Sequence, residues 1–191
     1  MRHVSKRGRG VTLVELIMAM LLLSVVVLCG TAMEMTLRHM STHMDTEAQL
    51  EAEAGSILAL VTKKMESAVG DAWNNPLNIT VTGSQRRLYR VRQDTNANGQ
   101  WDATDGTEDF DFVINQNGVR NTLWYGRNGI RLVILSTRVV NFAIGNMAFA
   151  GTNGDSIINI TVRADPLTAV GPNNPEVLLN SSVHCRSMSL G

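Results

Sequence analysis

Between Asp94 and Asp105 the chain reads Asp-Thr-Asn-Ala-Asn-Gly-Gln-Trp-Asp-Ala-Thr-Asp. Oxygen-bearing side chains alternate up to a glycine, and an acid stands twelve positions from the start. That is the spacing of a calcium loop. A hard cation takes oxygen ligands. Asp94, Asn96, Asn98 and Asp105 would offer side-chain oxygens, Gln100 its backbone carbonyl and Asp102 a direct or water-mediated contact, with Gly99 making the sharp turn. The twelfth residue is Asp rather than Glu, and its shorter reach weakens the bond. No amphipathic helix precedes the loop, so an EF-hand pair is not expected. The competing reading is a metal-free polar turn. Six acids between Asp94 and Asp111 repel one another, which favours an ion.

A second chemically loaded position is Glu15, the one charge within residues 11–30. A carboxylate in hydrocarbon costs several kcal/mol unless it is paired, so Glu15 needs a partner. Arg86, Arg87, Arg90 and Arg92 form a third group, read as balancing the nearby acids or lying on a solvated strand face. Asp109 and Asp111, two apart on a strand, share a face. There is no nucleophile elbow, phosphate loop or HExxH, and the four His and two Cys form no ligand cluster in the sequence. An enzyme is not expected. Cys29 and Cys185 read as free thiols, so the domain should be insensitive to dithiothreitol.

The elements that carry these residues follow from patterning. Lys+Arg and Asp+Glu both number 17, but four of the basic residues (Arg2, Lys6, Arg7, Arg9) precede any acid. Removing them leaves 13 basic against 17 acidic residues, or −4, which argues against nucleic acid as a partner. Residues 11–30 form an apolar run that spans about 30 Å as a helix, enough to cross a bilayer. The basic flank keeps its start cytoplasmic. Apolar residues then continue at steps of three or four: Met33, Leu37, Met40, Met44, Ala48, Ala54, Leu58, Val61, Met65 and Ala68. No proline precedes Pro76, so the helix is expected to run to Val69-Gly70. From Asn74 the periodicity changes. Short β-branched runs at 77–82, 88–93, 110–115, 122–125, 130–136, 139–144, 157–163 and 178–184 are separated by turn signals, among them Arg127-Asn128-Gly129. They predict an antiparallel sheet on the second half of the helix.

Arg9-Gly10-Val11-Thr12-Leu13-Val14-Glu15-Leu16-Ile17 resembles the cleavage and methylation motif of type IV pilins and type II secretion pseudopilins. The resemblance implies cleavage by a prepilin peptidase between Gly10 and Val11, with methylation of the new N-terminus. It makes Glu15 the fifth mature residue, pairing with the Val11 amine of a neighbouring subunit. Val11 replaces the phenylalanine of most members, and the proline that interrupts many pilin helices is missing, with Gly30 near that region. A subunit at the fibre tip tends to lack the glutamate, so its presence implies a neighbour ahead in the fibre.

The expectation is therefore an α+β pilin-like chain. Residues 1–10 are a cleaved basic leader, 11–30 a transmembrane and assembly helix, 31–70 its amphipathic continuation, and 71–191 a β-rich domain with a calcium-type loop at 94–105. It would lie in the inner membrane as a single-pass protein, N-terminus cytoplasmic and β-domain periplasmic, then join a pilus or pseudopilus as a minor subunit. Its partners would be the peptidase, other pilin subunits, the assembly platform and the bilayer. Two rival readings stay open. One is a secreted calcium-binding module whose first 32 residues are a signal peptide cut after Gly30-Thr31-Ala32. The other is a competence-type pilin-like protein that binds DNA through the arginine group.

Overall fold

The structure is a computed structural model that describes residues 12–70, 76–96, 101–102, 104–115, 118–145, 155–184 and 187–188. The chain divides into two units, Met1–Thr42 and His43–Gly191. One helix, α1 (Leu13–Glu66), contributes to both.

In the first unit, every side chain from Thr12 to Thr42 is exposed. The segment is long and apolar enough to cross a membrane. Its hydroxyls bond inside the helix: Ser24 to the Leu21 carbonyl (2.7 Å), Thr31 to Leu28 (2.9 Å) and Thr36 to Ala32 (2.9 Å). Such back-bonding lets a polar side chain sit in an apolar medium without an orphaned donor.

In the second unit, α1 buries Leu50, Ala54, Ile57, Val61 and Met65, continued by Ala68. Those steps of three and four define one helix face. The stripe differs in part from the sequence reading: Leu50 and Ile57 are buried, Leu58 is half-buried, and Met33, Leu37, Met40 and Met44 are exposed. The helix ends at Glu66, short of Val69-Gly70. The Ser67 hydroxyl lies within bonding distance of Gln93 Oε1 (2.7 Å), Lys64 O (3.0 Å) and Lys63 O (3.3 Å), and the Gln93 amide donates to Lys64 O (2.9 Å). These side chains satisfy end carbonyls that a further turn would otherwise have bonded. Lys63 and Lys64 in the last turn complement the helix dipole.

The strands are β1 (Val69–Gly70), β2 (Leu77–Thr82), β3 (Arg86–Gln93), β4 (Gly106–Val113), β5 (Thr122–Arg127), β6 (Ile130–Ser136), β7 (Val139–Ile144), β8 (Asp155–Arg163), β9 (Glu176–His184) and β10 (Ser187–Met188). They build two antiparallel sheets rather than one: a five-stranded meander β2-β3-β4-β5-β6 and a three-stranded sheet β7-β8-β9. A short parallel pair joins β1 to β10. The break between the sheets falls at Thr137-Arg138, where the Ser136 hydroxyl accepts the Arg138 N–H (2.9 Å). Arg138 O then accepts the N–H of Arg163, at the end of β8 (3.0 Å). A side chain thus takes over a backbone bond and the strand leaves its sheet.

One core joins the helix and both sheets. Phe142 of β7 stands between them: its ring lies 5.3 Å from Tyr89 at 86°, 6.4 Å from Phe110 and 6.3 Å from Phe112. The Tyr89 and Phe112 contacts are edge-to-face and the Phe110 contact is tilted, and each adds to the burial of its rings. Along β8, Ser156, Ile158, Ile160 and Val162 are buried, so the inner face falls on the even positions.

Candidate functional site

Three groups of functional side chains are placed by these elements. The first is the start of α1. Thr12 stands at the helix N-cap, where its carbonyl accepts the Leu16 N–H (3.1 Å). Glu15 Oε2 accepts both the Thr12 backbone N–H (3.0 Å) and hydroxyl (3.1 Å), and the Thr12 hydroxyl accepts the Glu15 N–H (3.3 Å). This is a reciprocal capping box. The carboxylate therefore has intramolecular partners within a single subunit. The Thr-x-x-Glu spacing from Thr12 to Glu15 is the sequence signal of this box, beside the charge itself. Gly10 and Val11 lie outside the described residues.

The second is the 94–105 loop, of which Asp94, Asn96, Asp102 and Asp105 are described and Asn98, Gly99 and Gln100 are not. Asp105 Oδ1 accepts the Thr95 N–H and hydroxyl (both 2.9 Å), and Oδ2 accepts the Asp102 N–H (2.8 Å). Asp102 Oδ1 accepts from Thr104, and Oδ2 from the Asn96 amide (3.0 Å). The bonds from the Asp102 and Thr95 amides hold the Asp105 carboxyl below its ordinary pKa. The ligand types suit a hard cation. Their oxygens nevertheless face donors of the loop itself, and no group of three His, Cys, Asp or Glu residues is placed to hold a metal among the described residues. Arg92 stacks on the Trp101 ring at 4.2 Å.

The third is a charged network on both faces of the five-stranded sheet. On the face toward α1, Glu108 of β4 is nearly covered; it accepts from Lys64 Nζ (3.0 Å) and from the Tyr125 hydroxyl. Burial lowers the Lys64 affinity for its proton, but the bond and charge of Glu108 outweigh this and leave it raised. On the opposite face, Asp109 and Asp111 share one side, as their spacing predicts, and both are buried. Asp111 is held by Arg86 through two bonds of 2.8 Å and by Arg131 at 2.6 Å. Asp109 lies 3.7 Å from Arg90 Nε and accepts from the Thr107 hydroxyl (3.2 Å). Two of the four arginines, Arg86 and Arg90, thus balance acids of the next strand, while Arg92 stacks on Trp101. Arg131 and the Lys64–Glu108–Tyr125 set were not legible in the sequence, because cross-strand register brings them together. Cys29 is a free, exposed thiol, and Cys185 lies outside the described residues.

A long N-terminal helix with an exposed apolar first part, followed by antiparallel sheets packed on its later turns, is an α+β pilin-like arrangement. Residues 5–28 match the family described as the prokaryotic N-terminal methylation motif, which supports the type IV pilin and pseudopilin family and processing as a prepilin. No curated protein and no solved structure matches the chain.

Proposed function

We propose that the chain is a structural subunit of a type IV pilus or a type II secretion pseudopilus. The carrying observation is the methylation motif at residues 5–28, which overlaps an exposed apolar helical stretch whose single acid within residues 11–30 is Glu15. Cleavage between Gly10 and Val11 removes four positive charges and leaves an amine on Val11 at the start of the apolar helix. Such an amine and the Glu15 carboxylate are each costly in lipid, and pairing between neighbouring subunits offsets much of that cost. The capping-box bonds to Thr12 hold the carboxylate while the subunit is stored in the membrane. The β-domain then forms the outer surface of the fibre, and the work is mechanical rather than catalytic.

The deciding experiment is the intact mass and N-terminal sequence of the protein from its native membrane. A chain beginning at N-methylated Val11 supports this reading. A chain beginning at Met33 replaces it with a secreted domain. Glu15→Ala should still be cleaved but should assemble poorly or lose methylation, read by shearing fibres from cells and by mass. DNA retention lost on joint substitution of Arg86, Arg87, Arg90 and Arg92 to Ala would instead favour the competence-type reading.

A further inference from the structure

The five-stranded sheet ends on β6, and that edge presents a row of backbone N–H and C=O groups outside the sheet. Ile130, Leu132, Val133 and Ile134 are 66%, 58%, 51% and 48% exposed. The opposite edge, β2, instead exposes Asn78, Thr80 and Thr82 alongside Val81. Natural edge strands are usually blunted by charge or proline. The one charge of β6, Arg131, is turned onto Asp111 and the Trp124 ring. Among the described residues, the protection that remains is two irregularities in the β5–β6 register.

Beside this edge lies an open cleft on the face away from α1, walled by Arg86, Arg90, Arg131, Asp109, Asp111 and Ile130. Three guanidiniums meet two carboxylates there. Asp111 takes Arg86 and Arg131, while Arg90 reaches Asp109 only at 3.7 Å. The cleft therefore carries a surplus positive charge next to an apolar strand edge. No acid occurs from Phe112 to Gly154, whereas Arg120, Arg127, Arg131 and Arg138 all do. A second copy paired β6 to β6 would bring no carboxylate to the cleft, since β6 holds no acid and Arg120, Arg131 and Arg138 are each paired with an acid of their own chain.

We propose that β6 is a docking edge for an extended segment of a different protein in which apolar residues alternate with carboxylates. The segment joins the sheet by strand addition. Its apolar side chains cover Ile130 and Val133, which register with Arg127 and Tyr125 on the face toward α1, and one carboxylate enters the arginine cleft on the other face. The inference rests on the sheet edge and does not depend on the pilin reading.

The test uses the full chain in detergent micelles and two labelled eight-residue peptides, one alternating Val and Glu, the other Val and Lys. Binding is read by fluorescence anisotropy. The acidic peptide should bind about tenfold or more tightly than the basic one, and it should weaken as salt rises from about 50 to about 500 mM. Val133→Glu and Arg90→Gln should each weaken it about fivefold or more, with unchanged circular dichroism. Val133 is exposed, so its variant decides the matter should Arg90→Gln disturb folding. Equal binding of the two peptides, or an unchanged affinity in Val133→Glu, overturns the proposal. A chain that is dimeric by light scattering and becomes monomeric on Val133→Glu also overturns it, by making the second copy the occupant.

Discussion

Glu108 shows how one covered carboxylate can tie a helix to a sheet. Its two oxygens are claimed by Lys64 and Tyr125, from α1 and β5. Tyr125→Phe removes a donor and leaves an acceptor short, so urea unfolding should report a loss of about 1–2 kcal/mol. Lys64→Met strips the charge partner, and a loss of about 1–3 kcal/mol is expected for this half-exposed lysine. The two tyrosines of the chain, Tyr89 and Tyr125, both have raised pKa values. Burial is the main cause for each, with the Glu108 carboxylate adding to it for Tyr125. A raised folded pKa contributes stability that is complete below the unfolded value of about 10 and is lost as pH climbs through the folded value. Tyrosinate absorbance should therefore appear at higher pH in the folded chain than in guanidinium; coincident titrations would contradict the burial of both rings. Asp105 has the opposite sign. Its lowered pKa gives stability present above about 3.9 and lost as pH falls through the folded value. Asp105→Asn should shrink the acid limb of the melting curve.

At the scale of elements, the β5–β6 hairpin is the clearest case of local code matching local shape. Asn128 and Gly129 both have positive φ, 51° and 81°, between the paired Arg127 and Ile130. Two successive left-handed residues make the turn that matches strand twist. Asn128 also ties the turn to β4: its side-chain oxygen accepts the Thr107 N–H (2.8 Å), and its own N–H reaches Thr107 O (2.9 Å). Gly126 is required for a different reason. A Cβ there would stand 2.4 Å from the Ile130 carbonyl, which is backbone and cannot swing aside. Gly126→Ala should cost about 1–3 kcal/mol by overpacking, while Gly129→Ala, which meets open space, should cost about 1 kcal/mol from φ alone. Denaturant midpoints of the two variants separate these causes. The β8–β9 connection relies on Asn174, whose amide bonds to the Asp165, Thr168 and Ala169 carbonyls.

For the whole molecule, the split of charge matters most. The processed chain from Val11 onward would carry formal −4, against zero for the full chain, so cleavage should move its isoelectric point clearly downward. Isoelectric focusing of membrane and fibre fractions checks this. Calcium remains our proposal for the 94–105 loop. Binding there must displace the bonds that Asp102 and Asp105 now accept from the loop. Ca²⁺ should raise the melting temperature of the full chain and shift Trp101 fluorescence, and Asp94→Ala should abolish both. A calcium-induced shift that survives Asp94→Ala would discard this ligand set.

Features that depend only on neighbours along the chain are legible from the amino-acid order alone. The apolar run, the glycine-bounded methylation motif and the position of Glu15 are local facts, and a family match at residues 5–28 needs nothing more. Strands at 77–82, 130–136 and 139–144 were legible to the residue, because β-branched runs and turn dipeptides are short-range signals. Tertiary structure decided the rest. A period of three or four marks a helix face but does not say where its burial starts, and only packing identified Leu50 and Ile57 as core while leaving Met44 exposed. The parting of β6 from β7 at Ser136, the meeting of Arg131 with Asp111, and the Lys64–Glu108–Tyr125 set all depend on register between distant segments. Register is fixed by the joint packing of both faces of a sheet, and a one-dimensional pattern carries no record of which strand lies beside which.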